Sequence, residues 1–361
     1  MFVRKLSCIA GSIFFSIIPK KRAEKPRKIA FLKVGSIGDV IMTTPLVRSV
    51  KKRFPDSDIT YIVGSWSSGA LEGNPYIDNI MSFDENMVYK RKLDQIIKLV
   101  KRIEKEEFDV IFVLDKSYLF SVLAFVAGIK TRIGFDRYGE GFANTHNVKY
   151  GEARHEIDYY LDLGDFYEID KSNRKPYFFV SQKDEKKAEE LTGNKKYVVI
   201  IPGGARNPGI GFDYFRVWPK EKYAELAKIL SRKYKIVLIG GKGDNEICNF
   251  IADKNIINYI INLCGKTTLK EAGAVIKKAS FVICNDSGPM HIASALNDRV
   301  ISLFGASNPI RKATLNKKSR WIWKDADIYE ERYEIFGKRP RSKDFMKRIT
   351  VEDVLIWLKK K

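Results

Sequence analysis

Histidine is scarce, with three in 361 residues. The four cysteines, Cys8, Cys248, Cys264 and Cys284, stand far apart and form no C-x-x-C pair. A zinc site therefore lacks ligands and a disulfide framework lacks spacing, and a reducing compartment is expected. No G-x-x-x-x-G-K-[ST] is present, which argues against a P-loop kinase or ATPase, and no full G-x-G-x-x-G follows the first strand-like run. No tandem repeat of solenoid length occurs. A convincing membrane span is also missing. The apolar run from Leu6 to Ile18 is broken by Ser7, Gly11, Ser12 and Ser16, and thirteen helical residues reach about 20 Å, against about 30 Å of hydrocarbon. Acid is in deficit: 44 Asp and Glu against 65 Lys and Arg leave a net charge of +21. That surplus implies an anionic partner, whether nucleic acid, a membrane surface or a phosphorylated substrate, and does not choose among them.

What the chain does contain is enough apolar material to bury real cores, 45% hydrophobic and 12% aromatic, on a length that suits two domains. Residues 1–27 differ from the rest. Arg4 and Lys5 precede the apolar run, and Pro19-Lys20-Lys21-Arg22 follows it, so that eight Lys or Arg and one acid stand before Ile29. An interfacial anchor on anionic lipid is the favoured reading. A cleaved signal and an ordinary packed helix are the alternatives; no A-x-A site follows the run, and Cys8 is misplaced for lipoprotein processing.

From Lys28 onward, strand and helix patterns alternate. Strand-like runs at Lys28–Val34, Ile59–Val63 and Val110–Leu114 enclose helical spacing up to Phe54 and from Gln95 to Glu107. A second set starts at Tyr197–Ile201 and continues with Lys235–Ile239, Ser280–Cys284 and Val300–Phe304, with helices expected over Lys220–Tyr234 and Leu269–Lys278. Such alternation predicts parallel sheets with right-handed crossovers, α/β in class. Two doubly wound Rossmann-like domains, 28–180 and 197–335, are expected to face a central cleft, with 181–196 as the linker region, itself partly helical. Residues 336–361 form a basic segment ending in a helix, opened by a capping box at Thr350 and Asp353.

In doubly wound sheets ligands sit outside the carboxyl ends of the strands, so the turns there carry the candidate chemistry. Gly35-Ser-Ile-Gly38-Asp39 follows the first strand and opens a helix. Asp39 is either a helix N-cap or a carboxylate placed to take a proton from an incoming hydroxyl. Asn285-Asp286-Ser287-Gly288-Pro289-Met290-His291 places small and polar residues at a helix N-terminus, where free N–H groups favour phosphate. Pro202-Gly203-Gly204 repeats the glycine device and leads to Arg216-Val-Trp218-Pro219. Arg216 is a candidate pyrophosphate clamp or a solvated surface cation. After Gly240-Gly241, Asp244 and Glu246 are candidate ribose-binding acids or surface acids. The two D-x-D triplets, Asp56–Asp58 and Asp325–Asp327, read as surface turns, and no metal site or cofactor is expected.

These segments resemble glycosyltransferase family 9, the ADP-heptose:lipopolysaccharide heptosyltransferases. The likeness rests on Lys33-Val-Gly-Ser-Ile-Gly-Asp-Val40, Asn74-Pro-Tyr-Ile-Asp78, Pro202-Gly-Gly, Arg216-Val-Trp-Pro219, Gly240-Gly with Glu246, Asn285–His291 and Phe304-Gly-Ala-Ser-Asn-Pro309, collinear from about Lys28 to Leu358. The resemblance implies a GT-B fold and inverting, metal-independent transfer of heptose from ADP-heptose to an acidic lipopolysaccharide-core or related envelope glycolipid. Asp39 would be the base. Gly38, Gly204, Arg216, Glu246, Asp286, Ser287, Gly288, Met290 and His291 would bind the donor, and Lys33 and Ser36 would lie on the acceptor side. Lys is usual at Arg216, and Asp115-Lys116-Ser117 departs from the usual Asp-x-Gln-Gly. The implied location is the cytoplasmic face of the inner membrane, with no nucleic-acid partner. Two alternatives stay open: another nucleotide sugar on the same fold, or a non-catalytic basic module that binds membrane or nucleic acid.

Overall fold

The computed structural model describes residues 8, 10–15, 22–193, 195–204, 206–207, 211–254 and 260–359. Most of the 1–27 segment lies outside them. The chain divides into two compact units, Met1–Arg174 and Lys175–Lys361.

The first unit is built on a six-stranded sheet of β1 (Lys28–Lys33), β2 (Asp58–Gly64), β3 (Asn79–Phe83), β4 (Val110–Val113), β5 (Thr131–Asp136) and β6 (His146–Lys149), in the order β3-β2-β1-β4-β5-β6. Every pairing is parallel. Parallel sheets are covered on both faces, which is why β1 and β4 read as unbroken apolar runs rather than alternating ones. One face packs Phe31, Tyr61 and Phe112 with Tyr160 and Leu46, and the other packs Leu32, Ile62 and Ile111 with Leu99 and Ile103. The helix Ile37–Arg53 tolerates Pro45 in its interior. Proline has no N–H to offer the Ile41 carbonyl, and the Thr44 hydroxyl donates to that oxygen instead at 2.7 Å.

The second unit repeats the plan with β7 (Tyr197–Ile201), β10 (Lys235–Leu238), β11 (Ile260–Asn262), β12 (Val282–Asn285), β13 (Val300–Phe304) and β14 (Arg320–Trp323), ordered β11-β10-β7-β12-β13-β14 and all parallel. A short antiparallel pair, β8 (Arg206–Asn207) and β9 (Gly211–Phe212), follows the β7 turn. In each sheet the order reverses beside its central strand, β1 or β7, which is the switch point where doubly wound sheets take ligands.

Residues 181–196, expected to be linker, hold the helix Gln182–Thr192, closed at its start by a reciprocal Ser181–Asp184 capping box. Lys277 and Lys278 pair with its Glu185 and Glu189, so this helix belongs to the second unit and the division falls earlier, after Arg174. The terminal helix Val351–Lys359 opens on the Thr350–Asp353 reciprocal bonds that the sequence predicts. Asp325 corrects one expectation: it is fully buried, not on a surface turn, and its carboxylate takes the Met346 N–H at 2.7 Å. The four cysteines are buried and none of them forms a disulfide. Among the described residues, no helix is long and apolar enough to cross a membrane.

Candidate active site

In the first unit the site gathers where β1 and β4 end. The helix begins at Ile37, with Ser36 in the N-cap position and no side-chain cap bond. Asp39 is therefore not the cap. It stands at the third helical position, half-buried, and its Oδ2 accepts from the Ser36 hydroxyl at 2.9 Å. Lys33, at the end of β1, is buried and its Nζ donates to Asp115 Oδ1 at 2.7 Å. The other Asp115 oxygen takes the Val34 N–H at 2.7 Å. Gly35 explains why the turn is bare. A Cβ there would meet Lys33 Cε and Nζ at 3.0 Å and Asp39 Cβ at 3.1 Å, so ammonium and carboxylate arm close on the same small volume. Ser67 braces that turn by donating to the Gly35 carbonyl at 2.7 Å.

A second ion pair lies behind the first. Lys116 Nζ reaches Glu156 Oε2 at 2.6 Å and sits 4.5 Å from the centre of the Tyr150 ring, whose hydroxyl donates to Glu156 Oε1 at 2.5 Å. Tyr160, fully buried, has a hydroxyl without a hydrogen-bond partner. Burial, then the charges of Glu156, Asp39 and Asp115, push its phenol well up. The Asp115-Lys116-Ser117 departure is thus a pair of anchored charges followed by a cap, since Ser117 accepts from the Leu119 N–H.

In the second unit three turns converge at the ends of β7, β10 and β12. Gly204 has φ +84, and a Cβ on it would press on Ser287 Cβ at 2.9 Å; both demands select glycine. Gly203 faces Asp244, where a Cβ would come within 2.2 Å of the carboxylate. Asp244 is spent on backbone, accepting from Gly204 N at 3.2 Å and Gly241 N at 2.9 Å. Glu246, the other acid weighed for ribose, is exposed and pairs with Lys220 at 3.3 Å. Asn285, fully buried, fastens the set: it donates to the Pro202 carbonyl and accepts from Trp218 N and the Tyr223 hydroxyl.

Asp286 and Ser287 lead into the helix Gly288–Leu296, with Pro289 in its first turn. The Ser287 hydroxyl is buried without a hydrogen-bond partner. Asp286 is nearly fully buried and accepts from the Ser307 hydroxyl at 2.5 Å. Burial raises its carboxyl, but Lys312, Arg216, Ser307 and His291 outweigh that and hold it below the usual range. Arg216 is no surface cation. It is buried, with Nε on Asp213 at 3.1 Å and Nη1 on the Asp286 carbonyl at 3.2 Å and carboxylate at 3.7 Å. Met290 and His291 are buried on the helix. Ser307, Asp213 and Lys312, which join this network, do not stand out in the sequence. The Ser307 signal was the Gly-Ala-Ser-Asn turn directly after β13.

The arrangement is two turns, at the carboxyl ends of β1 and β12: one carries a carboxylate beside a cation, the other buried charge at a helix N-terminus. The profile of glycosyltransferase family 9 (heptosyltransferase) matches residues 96–334. The chain belongs to that family. It is a glycosyltransferase. The lipopolysaccharide core heptosyltransferase OpsX of Haemophilus influenzae is 26% identical, the alignment covering 93% of this chain and 97% of that protein. Two solved structures share the fold: ADP-heptose lipopolysaccharide heptosyltransferase II of Escherichia coli (TM-score 0.71, 23% identity, 92% and 97% covered) and a family 9 glycosyltransferase of Veillonella parvula (TM-score 0.75, 22% identity, 91% and 95% covered). The architecture is GT-B. Among the described residues, no group of three His, Cys, Asp or Glu could hold a metal ion.

Proposed function

We propose that this glycosyltransferase moves a heptose from ADP-heptose to an anionic lipopolysaccharide-core or related envelope glycolipid, with inversion and without a metal. The observation that carries the reading is Asp39, released from the cap position and set beside Lys33 at the end of β1. A sugar hydroxyl loses its proton only as it attacks, so a base at the attacking oxygen is required. In this reading Asp39 takes that proton while the acceptor oxygen bonds to the anomeric carbon. The bond from that carbon to the donor diphosphate breaks, and one displacement inverts the centre. The departing diphosphate carries charge that the N–H groups at Gly288 and the side chains of His291 and Lys312 would meet. Gly38, Gly204, Ser287 and Met290 shape the donor turns, Glu246 is available for ribose hydroxyls, and Asp286 and Arg216 hold the turn in place. Ser36 and Lys33 line the acceptor side.

The donor class has support from the full-length likeness to OpsX and from the E. coli structure, a heptosyltransferase named for ADP-heptose. The acidic acceptor is supported by the net charge of +21. Residues 1–27 are assigned to contact with anionic lipid on the cytoplasmic face of the inner membrane. Turnover of a panel of nucleotide sugars with extracted lipid acceptors, with and without chelator, is the test. ADP-heptose should be consumed in both conditions. Preference for another nucleotide sugar would move the donor assignment, and loss of turnover with chelator would end the metal-free mechanism. Tight, steeply salt-dependent binding to polynucleotide with no turnover would favour a basic binding module instead.

A further inference from the structure

Parts of two uncharged stretches far apart in sequence meet on the first unit. Residues 6–19 carry no charge and are bounded by Lys5 and Lys20; residues 117–129 carry none and are bounded by Lys116 and Lys130. The second stretch holds the helix Tyr118–Val126. Part of the first, residues 10–15, is helical and lies against it. The Phe15 ring sits 4.7 Å from Phe125 and 5.6 Å from Phe142, and Gly11 faces Phe142 so closely that a Cβ would come within 2.6 Å of that ring.

Docking leaves apolar side chains outward on both partners. Leu119 and Val126, seven residues apart and so on one helix face, are 53% and 60% exposed, and Ile13 and Phe14 are 68% and 53% exposed. Phe14 touches Phe125 edge-on at 6.5 Å, which makes the two exposed sets neighbours. Such a patch is a docking surface rather than scattered exposure.

We infer that this patch is a composite membrane-binding surface, in which the helix Tyr118–Val126 enters the headgroup zone of an anionic bilayer beside the N-terminal helix. Charge selects the occupant. No acid lies within either stretch, the exposed Lys130 follows the helix, and a chain of net charge +21 favours an anionic surface over a second copy of itself. The surface also bears on transfer. Its helix starts directly after Asp115 and Lys116, so one turn joins the lipid-facing helix to the carboxylate that holds Lys33. The inference deepens the membrane reading proposed above and rests on it.

The experiment is flotation of the full chain with vesicles of phosphatidylglycerol and phosphatidylcholine, and with phosphatidylcholine alone. Wild type should float with the anionic vesicles. Leu119→Glu/Val126→Glu should lower that partition about tenfold or more, while Ile356→Glu, on the terminal helix, should not. Thermal melts establish that both variants are folded. Equal flotation of wild type and the double variant would overturn the role of this helix. Failure of wild type to float would overturn the whole membrane surface, and a wild-type dimer that the double variant dissociates would assign the patch to a second copy. Turnover with a delipidated, water-soluble acceptor separates this from the transfer reading: the double variant should keep it, and its absence in wild type would count against transfer alone.

Discussion

Lys33 and Asp115 hold each other at 2.7 Å where the neighbouring strands β1 and β4 end, and the second Asp115 oxygen takes the N–H of Val34. One carboxylate thereby fixes both the side chain and the backbone that precede the Gly35–Asp39 turn.

Lys33→Met is expected to lower kcat with little change in the apparent affinity for the donor, because the affected pair lies in the first unit. It should also destabilise the protein by roughly 3 kcal/mol, since it strips the partner from a mostly buried carboxylate. Gly35→Ala should reproduce the kinetic loss with a smaller cost in stability. Denaturant unfolding and steady-state kinetics on both variants check this. A changed donor KM with intact kcat would argue against the assignment.

Arg216 predicts a structural penalty. Its guanidinium faces Asp213 and Asp286 in a buried network that also takes in Tyr333. Arg216→Ala should cost about 3–5 kcal/mol and weaken ADP binding through the loosened Asp286 turn. Ser307→Ala removes one hydroxyl from Asp286 and should cost only about 1 kcal/mol. Thermal melts with and without ADP distinguish the two. An Arg216→Ala protein of wild-type stability would contradict the network.

Asp286 also predicts a pH dependence. Its carboxyl is held below the usual range in the folded chain, so at acidic pH the unfolded chain binds the extra proton first. Stability from this group is present above the unfolded carboxylate range and is lost as pH falls through the lower folded value. The stability gap between wild type and Asp286→Asn should therefore shrink as pH drops below about 4. Parallel denaturant titrations measure it; a gap that widens toward acid would reverse the assignment.

Most of the architecture was legible in the sequence. β13 matches the predicted run Val300–Phe304, and the helix Leu269–Lys278 matches its predicted bounds. Buried parallel strands and glycine turns leave strong local signals, whereas β3 and β14 do not. These are edge strands with exposed positions, and their pattern is neither alternating nor uniformly apolar. The helical character of Gln182–Thr192 is legible, but its charge and few buried side chains give no sign that it packs on the second unit rather than linking the two. In the site, the motif residues were visible, but their division of labour was not. Asp244 and Arg216 carry the charge expected of ligand-binding residues, yet they are bound to backbone and to buried acids. Ser307 gave too weak a signal on its own, since a serine after a strand is ordinary until Asp286 is found 2.5 Å away.

The central claim is that Asp39 takes the acceptor proton, and Asp39→Asn tests it most directly. Asparagine keeps the size and the hydrogen bond from Ser36 but cannot accept the proton. Loss of the charge near the helix start costs only about 0.5 kcal/mol, so the variant should fold and bind ADP like wild type. Its kcat with ADP-heptose and a lipopolysaccharide-core acceptor should fall by about 10²–10⁴. An Asp39→Asn enzyme that turns over within a few-fold of wild type would contradict the account and place the base elsewhere.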